Sequence, residues 1–166
     1  MSPAAIRDIP VDELAEAVRS SGYFNAKARK LKAISTYLET YGDDFESWRS
    51  KSPKQLRTEL LGVYGIGPET ADDIVLYVAQ LPSFVIDVYT QRIVDRVMPR
   101  RRLKGYDAYQ AFFERHLPRD VRLFNEYHAL LDAHAKEVCV KNRPICSACV
   151  IADLCATGAK ERGKAG

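Results

Sequence analysis

Apolar residues recur at three- and four-residue intervals along almost the whole chain, the spacing of a single buried helix face. Val11, Leu14, Ala15 and Val18 make one such face, and Leu31, Ile34 and Leu38 another. A third opens at the stretch SPKQL: Ser52 can cap, Pro53 suits the first helical position and Gln55 can complete a capping box. That helix, from about residue 52 to 63, buries Leu56, Leu60 and Leu61. Ile74, Val75 and Val78 place a helix over 70–79; Tyr106, Tyr109, Phe112 and Phe113 mark another, and Val121, Phe124, Tyr127, His128 and Leu131 a long one. The stretch SFVI at 83–86 is strand-like but short, and it follows Pro82, so it reads as an extended linker. The pattern predicts an all-α protein, either one globular unit or two helical lobes, 1–82 and 83–166, with a disordered tail after Cys155.

At 166 residues, with 46% hydrophobic and 28% charged side chains, the chain is long enough to bury a core. No run has the length of apolar sequence that a membrane span needs, and the opening MSPAAIRDIPVDELAE lacks a basic start and apolar centre. No membrane partner and a cytoplasmic location are therefore expected, nucleoid-associated in a prokaryote. The net charge of +3 does not by itself point to nucleic acid, but its distribution says more. Residues 99–104 read PRRRLK, and from Lys141 onward five basic residues face two acidic ones. Either patch can bind phosphate or simply be a solvated surface.

The stretch GVYGIGPETADDIVLYVA, residues 62–79, places Gly65 and Gly67 before Pro68 and a helix start. Glycines adopt positive φ without steric cost, and a Gly-Pro step feeds a helix whose first N–H groups face open space. The helix dipole favours an anion there. With the preceding helix this makes a helix-hairpin-helix over 52–80, an arrangement that grips the DNA backbone without reading sequence. Further on, Asp87 ends the SFVID segment at the start of a helix carrying Val88, Ile93, Val94 and Val97, where an acid is an ordinary N-cap.

All four cysteines fall between residues 139 and 155, as C-x6-C-x2-C-x5-C. Such clustering argues for a metal centre over disulfides, and the spacing alone suits either zinc or an iron–sulfur cluster. Lys141 and Arg143, between the first two cysteines, can touch phosphate. His128 reads as a packed core histidine, His134 as a helix-surface group or one that supports the cysteines. Tyr23, Phe24 and Tyr64 read as packing residues, Tyr64 bordering the hairpin.

GIGPETAD, FVIDVYTQR and the cysteine spacing together resemble the helix-hairpin-helix (HhH-GPD) DNA glycosylase superfamily, in its endonuclease III-related, 3-methyladenine glycosylase-like branch. The resemblance runs from IRDIPVDELAEAVRSSGYFNAKARKLK through Cys155. It implies the glycosylase fold, double-stranded DNA with a damaged or mismatched base as partner, and backbone contacts at Gly65, Ile66, Gly67, Thr70, Lys141 and Arg143. It implies that Asp87 is the catalytic aspartate and that Cys139, Cys146, Cys149 and Cys155 hold a 4Fe-4S cluster. Strand-cleaving members keep a lysine two residues past the second hairpin glycine; this chain has Glu69, an auxiliary group or a plain helix-start acid, and a carboxylate cannot form an imine.

The resemblance thus implies a monofunctional N-glycosylase of base excision repair, with alkylated purines as the first substrate and thymine or uracil opposite guanine as the second. A DNA-binding iron–sulfur module without catalysis is the alternative. Superfamily members normally begin with several helices ahead of the segment matching IRDIP. Their lack here predicts incomplete packing up to about Leu81 and an exposed apolar face that favours self-association.

Overall fold

A computed structural model describes residues 2–162, and no strand occurs among them. The chain falls into two compact units, Met1–Leu81 and Pro82–Gly166.

In the first unit, Ser2 accepts a hydrogen bond from the Ala5 N–H and Pro3 takes the first position of α1 (Pro3–Asp8). Helix α2 (Val11–Ala17) and α3 (Phe24–Glu39) follow, and α1 and α2 both pack on α3. Leu14, Ala15 and Ala28 are buried between them, with Ile6, Ile9, Val18, Phe24 and Leu31 around them. The Arg7 guanidinium reaches across to both carboxylate oxygens of Asp43, at 2.7 and 2.8 Å, in the bidentate geometry that suits a fork donor.

Helix α4 (Pro53–Leu61) carries the expected capping box: the Gln55 N–H donates to the Ser52 hydroxyl and the Gln55 side chain accepts from the Ser52 N–H. It packs on α5 (Pro68–Asp73) through Leu56 and Leu60, in a cluster with Trp48, Ala71 and Val75. The helix expected over 70–79 is α-helical only to Asp73; Ile74–Val78 form a π turn, closed by the Ala79 N–H donating to Ile74 O at 2.9 Å. Gln80, at φ 55°, then ends it.

The second unit begins with residues that periodicity misreads. Phe84, Val85 and Ile86 are extended, yet all three are buried, so the segment is part of the core rather than a surface linker. Three of its backbone groups are bonded by side chains of one helix, α7 (Tyr106–His116). Glu114 accepts from the Phe84 N–H at 3.1 Å, the Tyr106 hydroxyl from the Ile86 N–H at 3.2 Å, and Gln110 donates to Phe84 O at 2.9 Å. Phe84 stacks on Phe113 with ring centroids 4.2 Å apart and meets Phe124 edge-on.

Helix α6 (Val88–Val97) packs against α8 (Val121–Glu137), which Asp120 caps through the Leu123 N–H at 2.7 Å, and against α9 (Ala156–Arg162). The residues directly after Cys155 were expected to be disordered and are instead that last helix. Two contacts hold it: the Thr157 hydroxyl donates to Arg96 O at 2.9 Å, and Gly158 lies so close to Ala152 that a Cβ would meet backbone at 2.8 Å. The remainder of the tail, 163–166, lies outside the described residues.

Candidate functional site

In the first unit the hairpin loop joins α4 to α5. Gly65 sits at φ +83°, so the backbone calls for glycine; a Cβ there would also push aside the flexible, exposed stem of Lys30. Gly67 does not use positive φ: it is extended, at φ −96°, and a Cβ would meet nothing within 4 Å. What it provides is openness, because it caps α5 with no side chain and Pro68 follows at the first helical position. Glu69 and Thr70 are exposed beside it, Ile66 partly buried. Behind the loop, Asp72 is fully buried and receives the Arg57 Nε–H at 3.0 Å, tying α5 back to α4.

The ring of Tyr23 is 89% exposed and that of Tyr64 60%, which overturns their reading as packing residues. Tyr23 is left-handed, at φ 48°, directly after left-handed Gly22, and this double turn before α3 sends the ring outward. Phe24 does pack, with Arg19 over its face at 4.9 Å. An open groove of about 570 Å³ on this unit is lined by Val18, Leu31, Ile34, Ile66 and Ile74, with Lys27 and Lys30 among them.

In the second unit Asp87 is the N-cap of α6: its Oδ1 accepts the Thr90 N–H at 2.6 Å. Its Oδ2 lies 3.7 Å from Nε2 of His128 on α8, and both side chains are 14% exposed. Burial pushes this carboxyl up, but nearby His128 and the Thr90 hydrogen bond outweigh it and leave the group at about 2, ionised at neutral pH. His128 is therefore more than the core histidine the apolar face suggested. Periodicity put it on the buried face; no one-dimensional signal paired it with an acid 41 positions earlier.

At the other end of α6, Arg96 grips the cysteine loop. Its guanidinium donates to Cys139 O at 3.0 Å, Cys139 Sγ at 3.1 Å, Val140 O at 2.9 Å and Lys141 O at 2.6 Å, and Arg92 adds bonds to Ala135 O and Cys139 O. Lys141 and Arg143 are exposed on this anchored loop.

Cys139, Cys146, Cys149 and Cys155 are all free thiols and line one cavity. The Gly158 N–H points at Cys155 Sγ from 3.4 Å, and His134 Nε2 lies 3.6 Å from Cys149 Sγ, so it supports the thiols. Burial and the neighbouring cysteines push the Cys146 thiol up, the electrostatic problem that a bound cation removes. Among the described residues no three Cys, His, Asp or Glu side chains are gathered as for a single metal ion.

A family model for HhH-GPD superfamily base excision DNA repair proteins matches residues 1–139. The chain belongs to that superfamily. It is 38% identical over 152 residues to MJ1434 of Methanocaldococcus jannaschii, named provisionally as a DNA repair glycosylase; the match covers 90% of this chain and 69% of that protein. A trapped covalent complex of endonuclease III with DNA superposes with a TM-score of 0.80 at 22% identity, over 97% of this chain and 71% of that one. Helicobacter pylori 3-methyladenine DNA glycosylase (MagIII), bound to 1,N6-ethenoadenine, gives a TM-score of 0.68 at 25% identity, over 81% and 67% of the two chains. As a member of this superfamily the protein is a DNA glycosylase, cleaving N-glycosyl bonds in base excision repair. No helix among the described residues is long and apolar enough to cross a membrane.

Proposed function

We propose that this glycosylase is monofunctional, that Asp87 is its catalytic carboxylate, and that an alkylated purine is its first substrate. The observation that carries this reading is the Asp87 carboxylate, kept ionised at about 2 with Oδ1 held by the Thr90 N–H. Breaking an N-glycosidic bond sends the bonding electron pair to the base and builds positive charge on the sugar; a fixed anion beside the sugar stabilises that state. Water then adds at the sugar carbon, its proton passes to solvent, and an abasic site remains. An alkylated purine already carries positive charge and leaves as a neutral base, so this acid needs no proton-donating partner. Similarity to the Helicobacter 3-methyladenine enzyme supports the same choice.

The target base must first be flipped out of the stack. The open start of α5 at Gly65, Ile66, Gly67 and Thr70 holds phosphate on one unit, and Lys141 and Arg143 hold it on the other. Tyr23, with its exposed ring, is placed to stack on bases. Glu69 acts as a helix-start acid and supplies no amine. Cys139, Cys146, Cys149 and Cys155 hold a 4Fe-4S cluster, which supplies a rigid crosslink for the DNA-contacting loop. The protein acts in the cytoplasm, on the nucleoid of a prokaryote.

The test is base release from methylated duplex DNA and from G:T and G:U duplexes, assayed before and after alkali. Release from methylated DNA, with strand breaks only after alkali, is expected. Release from the mismatches alone overturns the substrate, and strand breaks without alkali overturn the monofunctional assignment.

A further inference from the structure

The Asp87 carboxylate is approached on its two oxygens from two different helices. The Thr90 N–H, on its own helix, takes Oδ1 at 2.6 Å; Nε2 of His128, on α8, stands 3.7 Å from Oδ2. The first contact is what any N-cap acid makes. Helix capping requires nothing of the second.

We propose that His128 is a positioning residue for Asp87: it stands over the oxygen that the cap leaves over and fixes the plane of the carboxylate. This rests on the reading of Asp87 as the acid that stabilises the sugar cation. The distance is longer than a direct hydrogen bond and well within Coulombic reach, so the imidazole steers Oδ2 without occupying it. Packing alone does not call for a histidine here. α8 presents Phe124 and Leu131 around the same face, and an apolar side chain fills a buried position without the desolvation that an imidazole brings.

Other charged groups act on Asp87 more weakly. Lys136 on α8 feels its charge, but that ammonium is exposed and bound to Asp132 at 2.6 Å. On α6 itself, Tyr89 lies under the Arg92 guanidinium at 5.0 Å, and Arg92 is committed to backbone carbonyls. α9 meets α6 at its other end, through Thr157 on Arg96. Among the groups that oppose burial and lower the Asp87 carboxyl, His128 is the largest.

The experiment uses the full chain and compares wild type, His128→Leu, His128→Gln and Asp87→Asn. Single-turnover base release is measured on methylated, G:T and G:U duplexes between pH 4 and 9, beside duplex affinity and thermal unfolding. A second readout needs no activity: the ¹³C titration of the Asp87 carboxyl. His128→Leu is expected to slow base release by about tenfold or more with affinity little changed. The Asp87 titration should move up by about one pH unit. His128→Gln, which keeps an N–H donor, should recover most of the rate. If Asp87→Asn is inactive while His128→Leu leaves the rate and the Asp87 titration unchanged, the inference fails and the reading of Asp87 stands. If Asp87→Asn retains full activity, that reading fails, and the reaction-based role of His128 goes with it. If His128→Leu does not fold, the titration in His128→Gln decides: a carboxyl shifted by less than that variant's error from wild type supports steering by an N–H donor, and one raised by a full unit overturns it.

Discussion

Arg96 donates to both the carbonyl oxygen and the sulfur of Cys139, at 3.0 and 3.1 Å, from the last turn of the helix whose first turn Asp87 caps. One ten-residue helix therefore carries the acid at one end and the anchor of the cysteine loop at the other. Arg96→Leu removes the donors to Cys139 Sγ, Val140 O and Lys141 O and one of the two on Cys139 O, which Arg92 still holds, and leaves the partly buried Val140 carbonyl without its Arg96 donor. Each such loss costs about 1–3 kcal/mol. The expected outcome is lowered iron and sulfide content in anaerobically purified protein and weaker duplex binding, while far-UV circular dichroism stays helical. Full iron content in Arg96→Leu would show that the loop holds its shape without this anchor.

Asp87 caps α6 and, in the proposed reaction, carries the charge that stabilises the sugar cation; two substitutions separate these roles. Asparagine is as good an N-cap as aspartate, so Asp87→Asn should keep the Thr90 bond and lose only the stability that the charge contributes, about 1–2 kcal/mol at pH 7. It lacks the charge, and base release should fall by about 10²–10³-fold with duplex affinity retained. Asp87→Ala should lose both, with a further cost of about 1 kcal/mol in stability. The carboxylate also links stability to pH. Its value is lowered to about 2, so its contribution is fully present above the ordinary Asp value of 3.8 and is lost as pH falls from there through about 2.

Helix faces, the Ser52–Gln55 capping box, the Asp87 cap and the gathering of the cysteines were all legible in the sequence, because each depends on residues close along the chain. The exceptions have a common cause. Phe84, Val85 and Ile86 look like a short linker, and α7 supplies the distant side chains that bond their buried backbone. His128 meets Asp87, and Arg96 meets Cys139, across more than forty residues. Tyr23 was misread because an aromatic ring next to a helix usually packs; two successive left-handed residues turn this one out. Ala156–Arg162 looked too polar and glycine-rich to fold, but Gly158 is what lets that helix sit against Ala152.

The two hairpin glycines should respond differently to alanine. Gly65→Ala puts a Cβ on a residue at φ +83° and into the stem of Lys30, so it should destabilise by about 1–2 kcal/mol and weaken duplex binding. Gly67→Ala meets no neighbour and needs no unusual backbone, so thermal unfolding should move little. The new methyl stands at the open start of α5, and duplex affinity should still fall. Equal loss of affinity and stability in both variants would mean that Gly67 serves packing rather than DNA.

Glu59 is the polar hub of the first unit. Lys51 donates to its Oε1 at 2.8 Å, Tyr37 to its Oε2 at 2.7 Å, and the Tyr41 hydroxyl also donates to Oε2. Burial pushes this carboxyl up, yet Lys51 and the two phenols outweigh it and lower it to about 2. The sign follows: its contribution is complete above the ordinary Glu value of 4.5 and disappears as pH falls from there through about 2. Glu59→Gln should lower the Tm at pH 7 by a few degrees, about 1 kcal/mol. Below about pH 2 the two proteins should converge. A Tm difference that stays constant from pH 7 to pH 2 would assign the loss to packing instead of charge.

Glu69 stands in the first turn of α5, two residues past Gly67, where an amine would be needed to attack the sugar. A carboxylate has no N–H pair to lose in forming an imine, so borohydride should trap no covalent complex with DNA. Glu69→Gln should leave base release within about threefold of wild type, because a helix-start acid contributes only about 0.3–1 kcal/mol. Glu69→Lys is the informative variant. It places an amine on the hairpin and reverses a charge that repels phosphate, so tighter, more salt-sensitive duplex binding is expected. If it also yields a borohydride-trapped complex and alkali-independent strand breaks, the hairpin already presents this position to the sugar and only the side chain separates the two reactions. If binding tightens and nothing is trapped, a lysine at this position is not enough, and the lyase route needs further groups that this chain does not supply.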